Sequence, residues 1–200
     1  MKRDSAQLIL DFWFGDLNDQ NSHAEQAKIW WGKNVEIDQY IDQHFQQDVL
    51  NAMNGKYQHW LTAPKSTLAL IILLDQFTRH IYRNTPKAFA YDALALKSAK
   101  LGLSLDYDKQ LSIFEQAFFY MPFEHAENLA EQERAVSLFY QLYQRSPAHQ
   151  KDALAHYHKS ANDHKAIIER FGRFPHRNEI LNRISTLEEQ EFLKGPNSSF

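Results

Sequence analysis

The segment of residues 68–74 constrains the fold most, because every one of its seven residues is apolar. The flanking sequence keeps helical spacing, and the alternation of apolar and polar residues that is typical of strands hardly occurs. A helix that is apolar on all sides normally lies in the buried centre of a helical bundle. Seven residues are far fewer than the roughly 18 that a membrane-spanning helix needs. The segment therefore predicts the central helix of an all-α protein and no membrane span.

In the rest of the chain, apolar residues recur at steps of three or four, which predicts helices, and glycine and proline residues separate these segments. Glycine readily adopts the left-handed conformation that follows many helices. Four glycines are therefore predicted to end helices: Gly15, Gly55, Gly102 and Gly172. Pro122 is predicted to interrupt a helix, because a proline disfavours helical geometry in the residue before it. Thr186 and Glu189 have the spacing of a capping box, and we expect one all-α domain over residues 1–195 with a loose tail at 196–200.

Composition and residue spacing exclude several kinds of site. The 200 residues include no cysteine, so disulfides, thiolate zinc sites, iron–sulfur clusters and cysteine nucleophiles are excluded. The histidine and glutamate spacings of helical zinc and di-iron sites do not occur. Neither do a glycine-rich phosphate loop, a dinucleotide fingerprint or a GxSxG motif. We therefore expect neither a metal nor a cofactor.

The charge distribution indicates which classes of binding partner to expect. The net charge is −3, yet residues 151–183 hold seven basic and four acidic side chains. So small a local excess suits a pocket with a few arginines better than a surface that follows nucleic-acid phosphates. No lysine-rich amphipathic segment typical of membrane-surface binding occurs, so neither nucleic acid nor a membrane is expected as a partner. Asp11 interrupts the N-terminal apolar stretch and no cleavage site follows, which predicts a cytoplasmic protein without a signal peptide.

The first candidate site residues continue the apolar central helix. Asp75, Arg79 and Arg83 are spaced by four residues, so they share one face of a helix. They could form a salt-bridge ladder at the end of a buried helix. Equally, Asp75 could orient the two arginines towards a cleft that holds an anion. A buried charge needs a partner in either case.

A second group of candidates surrounds the predicted break at Pro122. Glu124 and His125 follow it directly, and adjacent Glu and His side chains could supply general acid–base groups. The alternative is a polar turn that caps the next helix. His164 lies in an apolar stripe between Ala161 and Ile168, where a histidine is more often a hydrogen-bonded core residue than a ligand.

The loop of residues 172–178 is the strongest indication of a site in the second half of the chain. It places Arg173, His176 and Arg177 close together in sequence. The following helix is expected to present free N–H groups to the same place, which would favour a bound anion.

Four motifs resemble a bacterial family of all-helical proteins of unknown function: DFWFG (11–15), LLDQFTRHIYR (73–83), MPFEHAE (121–127) and IERFGRFPHRN (168–178). The resemblance covers nearly the whole chain. Thr78 stands where this family commonly has proline, and Asn84 and Asn182 stand where it commonly has glycine. The resemblance implies a bundle of antiparallel helical hairpins that is tetratricopeptide-like. It implies no reaction.

Three functional hypotheses remain open. The leading one is a cytoplasmic binding domain for a small anionic ligand or an acidic peptide, whose candidate residues we expect to meet in one net positive pocket. These residues are Asp75, Arg79, Arg83, Glu124, His125, His164, Arg173, His176 and Arg177. The second is a hydrolase or lyase that uses Glu124, His125 and His176 as candidate acid–base residues on an anionic substrate. The third is a protein–protein scaffold in which the polar residues are purely structural.

Overall fold

The computed structural model describes residues 4–15, 20–196 and 198, and within these residues every regular element is helical. The α-helices are α1 (Ser5–Phe14), α2 (Gln20–Trp31), α3 (Val35–Met53), α4 (Pro64–Ile71), α5 (Thr78–Ile81), α6 (Asp92–Ser104), α7 (Ile113–Glu124), α8 (Leu129–Arg145), α9 (Lys151–Phe171) and α10 (Leu187–Phe192). Short 3₁₀ helices are Gln58–Thr62, Pro86–Ala88, Asp108–Gln110, Ala148–Gln150 and Pro175–Arg177. The predicted all-α class is confirmed.

The contacts divide the chain into two compact units. The first falls within Met1–Arg83 and Lys87–Pro122, and the second falls within Asn84–Pro86 and Phe123–Phe200. The single domain over 1–195 and the tetratricopeptide-like arrangement therefore stay predictions, and the predicted tail at 196–200 lies mostly outside the described residues.

The core of the first unit contains the apolar segment and a cluster of aromatic rings. Every residue of 68–74 is at most 5% exposed, which confirms its predicted burial. Phe118 is fully buried, and its ring centre lies 4.8 Å from that of Trp30 and 5.5 Å from those of Trp13 and Phe14. The bulky aromatic residues thus form much of this core. In the described part of the chain, no helix is long and apolar enough to cross a membrane.

The central helix of the first unit contains a feature that its sequence did not predict. A π-helical segment, Ile72–Phe77, connects α4 to α5 without a break. A π segment widens the helix locally and shifts the face on which the following side chains lie. Asp75 lies in this segment and is fully buried, whereas Arg79 lies beyond it in α5.

The second unit is built around two long helices. α8 and α9 pack along each other, and the rings of Phe139 and Tyr157 stack at 6.0 Å. Phe171, at the end of α9, contacts Phe192 of α10 with ring centres 5.0 Å apart. The fully buried Phe174 joins the same apolar cluster, so the loop after α9 is anchored to the core.

The predicted helix ends are partly confirmed. Gly15 and Gly172 end α1 and α9 with positive φ angles of 55° and 69°, and Gly55 follows the end of α3 with a φ of 72°. Gly102 does not end α6, and Pro122 does not interrupt α7, which continues to Glu124. Both predictions were wrong because tertiary packing overrides local preference.

Gly102 lies inside α6 for a packing reason. It is buried, and a Cβ atom added there would overlap Cζ of the fully buried Phe119. Elsewhere in a helix, Gly→Ala would stabilise by up to about 1 kcal/mol. Here overpacking should dominate, so we expect Gly102→Ala to lower the free energy of unfolding by about 1–3 kcal/mol in urea titrations. In a Phe119→Ala background the ring is absent and the same change should stabilise; destabilisation in both backgrounds would contradict this explanation.

Candidate functional site

The predicted site residues are divided between the two units. Asp75, Arg79 and Arg83 belong to the first unit. The other six belong to the second unit: Glu124, His125, His164, Arg173, His176 and Arg177. The single pocket that would unite the two sets stays a prediction.

Arg79 is held by acceptors of its own unit. Its guanidinium donates to both carboxylate oxygens of Asp92, at 2.9 and 3.0 Å, and to the carbonyl oxygen of Ala88. Asp75 Oδ1 lies 3.7 Å from a terminal nitrogen of the Arg79 guanidinium. Burial alone would lower the pKa of Arg79, but the two carboxylates raise it. Arg79 is therefore a charged group fixed mainly by Asp92, with Asp75 as a second acidic neighbour.

Arg83 is held by a different carboxylate, Asp38 of α3. Its Nε and one terminal nitrogen each donate to Asp38 at 2.7 Å. His80 Nδ1 lies 2.7 Å from Oδ1 of the same residue. Burial lowers the pKa of His80 although Asp38 acts against it, so this imidazole is neutral at pH 7 and donates from Nδ1. For Arg79 and Arg83, the geometry favours the salt-bridge interpretation over an open anion cleft.

In the second unit, a buried carboxylate is paired with a buried imidazole. Glu124, the last residue of α7, is 3% exposed, and His164 of α9 is 5% exposed. His164 Nδ1 lies 3.0 Å from Glu124 Oε1 and 2.9 Å from the carbonyl oxygen of Ser160. Both neighbours accept hydrogen bonds, so Nδ1 carries a proton. Glu124 thus pairs with His164, 40 residues away in sequence, rather than with the adjacent His125.

The Glu124 carboxylate remains ionised despite its burial. Burial alone would raise its pKa, but the imidazoles of His164 and His125 lower it below the usual value. Ser160 Oγ also donates to Glu124 Oε1 at 2.7 Å. The nearby Tyr157 is also buried, and this burial, together with the charge of Glu124, raises the pKa of its hydroxyl.

Ser160 lies close to this pair, but not in the position of a nucleophile. In a catalytic triad, the serine contacts Nε2 of the histidine and the carboxylate contacts Nδ1. Here Ser160 Oγ lies 3.4 Å from His164 Nδ1, on the same side of the ring as Glu124. Ser160 therefore holds the carboxylate in place. No pattern in the sequence indicates this role.

Phe174 brings the remaining polar candidates together. Its ring centre lies 5.5 Å from that of His164 and 5.7 Å from that of His176. The guanidinium carbon of Arg177 lies 4.5 Å from the same ring, and Arg177 donates to the carbonyl oxygen of His125 at 3.2 Å. The rings of His125 and His164 are 6.3 Å apart. These five residues form what we call the histidine–arginine cluster.

Arg173 is bound at the start of α10. Its guanidinium donates to both oxygens of Glu189, at 2.7 and 2.8 Å, and to the carbonyl oxygen of Ile184 at 2.9 Å. Thr186 and Glu189 form the predicted capping box, which is confirmed. The backbone N–H groups at the start of this helix were expected to hold an anion, but those of Thr186 and Glu189 donate to the side chains of the cap. The segment directly after residue 174 is a 3₁₀ turn, and α10 begins only at Leu187.

Glu127 fixes the loop that carries the cluster, and sequence reasoning did not assign it this role. It accepts hydrogen bonds from the backbone N–H of Phe174 at 2.8 Å and from Arg183 at 2.6 and 2.9 Å. Burial opposes ionisation, but the bonds from Arg183 and Phe174 lower the pKa of Glu127. In the described part of the chain, no group of three or more acidic or imidazole side chains could hold a metal ion.

The Arg173–Glu189 pair should make stability depend on pH in the acid range. Hydrogen bonds from Arg173 lower the pKa of the buried Glu189 to about 2 from 4.5. A depressed pKa in the folded state stabilises above the unfolded pKa, and this stabilisation is lost as the pH falls from 4.5 towards 2. We expect Glu189→Gln, whose amide can still complete the capping box, to flatten this part of the stability–pH profile in urea titrations. Glu188→Gln, on the exposed side of α10, should retain the wild-type slope; equal slopes in all three proteins would contradict the assignment.

The chain belongs to a class of all-helical bacterial proteins. Residues 9–197 match the family described as bacterial protein of unknown function (DUF924), and the chain belongs to this family. The solved structure of a protein of unknown function, ATU0120 from Agrobacterium tumefaciens, is similar. It is 35% identical, the match covers 95% of this chain and 97% of that one, and the TM-score is 0.81. No curated protein matches the sequence.

Proposed function

We propose that this protein binds a small anionic molecule at the histidine–arginine cluster of its second unit. One observation carries the proposal: His164, His176 and Arg177 contact Phe174, and the His125 ring lies 6.3 Å from the His164 ring. Imidazole and guanidinium N–H groups are hydrogen-bond donors suited to carboxylate and phosphate oxygens.

The arrangement of Arg177 supports an anionic ligand. A guanidinium stacked on an aromatic ring keeps the edge of its plane for hydrogen bonds, and its fork matches the two oxygens of a carboxylate or phosphate. Arg177 lies over Phe174 in this way. Two neighbouring arginines of the unit show the same fork geometry on carboxylates: Arg173 donates to both oxygens of Glu189, and Arg183 donates to both oxygens of Glu127.

The Glu124–His164 pair favours a second candidate, an enzyme of the hydrolase or lyase type that acts on an anionic substrate. The ionised Glu124 accepts from His164 Nδ1, which leaves Nε2 as the ring nitrogen that can exchange a proton with a substrate. A carboxylate that orients a histidine in this way is a common feature of general bases. In this candidate His164 takes the role of base that the sequence had suggested for His125 or His176.

A panel of anions tests binding directly. Thermal unfolding of the full chain, followed by circular dichroism, is measured with phosphate, succinate, citrate and a hexaglutamate peptide, and with chloride at equal ionic strength. At a hundredfold excess over its dissociation constant, a ligand of the native state adds about 2.7 kcal/mol of stability. We expect at least one anion to raise the melting temperature clearly, and we expect the shift to disappear in Arg177→Gln.

Arg170→Gln is the matched control. Arg170 lies near the end of α9, seven residues before Arg177, but it is half exposed and paired with Glu188 on the surface. It should keep the full ligand-induced shift. If no anion stabilises the wild type, or if both variants respond alike, the scaffold hypothesis replaces the binding hypothesis. For the enzyme candidate, turnover of an ester of the stabilising acid should be lost in His164→Gln and kept in His156→Gln.

A further inference from the structure

A cavity in the first unit is separate from the histidine–arginine cluster. It has a volume of about 140 Å³ and lies between the end of α3 with its following turn, α4 and α6. Four leucines form much of its wall: Leu61, Leu70, Leu94 and Leu101. Apolar cavities of about this size in proteins can hold a benzene-sized guest. The wall and the volume therefore suit an apolar body of about six carbon atoms.

The polar residues of the cavity specify the charge of a guest. Lys97 and Gln58 line it, both are exposed at the surface, and the lining contains no acidic residue. In the described chain, no hydrogen bond or ion pair joins the side chain of either residue to another group. By contrast, the buried Ser98 hydroxyl donates to the carbonyl oxygen of Leu94 at 3.0 Å. The cavity thus combines an apolar interior with an ammonium and an amide at its open side.

We propose that this cavity binds a short-chain monocarboxylate whose apolar body has about six carbon atoms. The chain enters between the leucines, and the carboxylate meets the Lys97 ammonium and the Gln58 amide. Acetate lacks the apolar body and hexanol lacks the charge, so each satisfies only one half of the site.

Hexanoate is the probe, and the amide signals of the full-length protein in NMR titrations are the readout. Burial of the five apolar carbons of hexanoate corresponds to a dissociation constant of about 1 mM. We expect saturable shifts of the Gly55 and Ser98 amides, both of which line the cavity. Acetate at the same concentration should leave them unchanged, and hexanol should bind more weakly than hexanoate.

Lysine variants on α6 show whether the charge is recognised. Lys97→Gln should weaken hexanoate binding about fivefold and leave hexanol binding unchanged. Lys100→Gln, an exposed change on the same helix, should bind hexanoate as the wild type does. The proposal is overturned if the Gly55 and Ser98 signals do not move with hexanoate, or if Lys97→Gln and Lys100→Gln bind it equally. Neither outcome bears on the histidine–arginine cluster, which is tested with other ligands and other variants.

Discussion

Glu124→Ala is expected to lower the free energy of unfolding by about 3–5 kcal/mol, because it removes the charged partner of a buried, hydrogen-bonded pair. Glu124 is 3% exposed and binds His164 and Ser160 at 3.0 and 2.7 Å. Without the carboxylate, these donors lose an acceptor in a place that water does not reach. Urea unfolding followed by circular dichroism measures the effect, because the second unit contains no tryptophan.

Two further proteins separate the pair from a general effect of substitution. Glu133→Ala removes an exposed glutamate from α8 and should change the stability by no more than about 0.5 kcal/mol. Glu124→Ala combined with His164→Ala should cost less than the sum of the single changes, by about 0.5–3 kcal/mol. Strict additivity would show that the two side chains do not interact.

The Glu124 effect should also depend on pH. The pKa of Glu124 is lowered in the folded protein, so its stabilisation is present above the unfolded value of 4.5. It is lost as the pH falls through the lower folded value. The difference in stability between wild type and Glu124→Ala should therefore be largest near neutral pH and shrink in acid.

Phe118→Ala is expected to destabilise the first unit by about 3–5 kcal/mol, because it leaves a cavity at the centre of a ring cluster. Phe118 is fully buried, with Trp30, Trp13 and Phe14 around it at 4.8–5.5 Å. Loss of the edge-to-face contacts adds to the loss of buried area. All four tryptophans belong to the first unit, so tryptophan fluorescence in urea reports this transition.

Leu105→Ala is the control for this substitution. Leu105 belongs to the same unit and is 47% exposed, so its truncation should change the stability by no more than about 0.5 kcal/mol. Similar losses for Phe118→Ala and Leu105→Ala would contradict the description of the ring cluster as the core of the unit.

Local sequence signals predicted the helices well where the signal and the packing agree. The apolar segment 68–74, the Thr186–Glu189 capping box and the glycine after α9 were all readable from the sequence. Asn84 and Asn182 have positive φ angles of 60° and 54°, which explains why glycine is expected at these two positions. The place of Gly102 inside α6 was not readable, because its cause is contact with Phe119, which is distant in sequence, and no local pattern marked the π segment Ile72–Phe77.

The candidate site likewise combines features that the sequence predicted with features that it did not. Single-residue chemistry singled out polar residues that the structure buries, including Glu124, His164 and Arg177. It could not identify their partners: Arg83 binds Asp38, 45 residues away, and Glu124 binds His164, 40 residues away. Periodicity shows which face of a helix a residue occupies, but not which helix packs against that face.

If the histidine–arginine cluster binds a small anion, the imidazole signals of its histidines should report the binding. The full-length protein, labelled in histidine, is titrated with phosphate and with citrate at constant pH and ionic strength, and each signal is assigned by His→Gln replacement. We predict saturable shifts for His125, His164 and His176, and fixed signals for the exposed His44 and His156. If the three cluster signals stay fixed, or if all imidazoles move in parallel with no saturation, the anion-binding account is wrong.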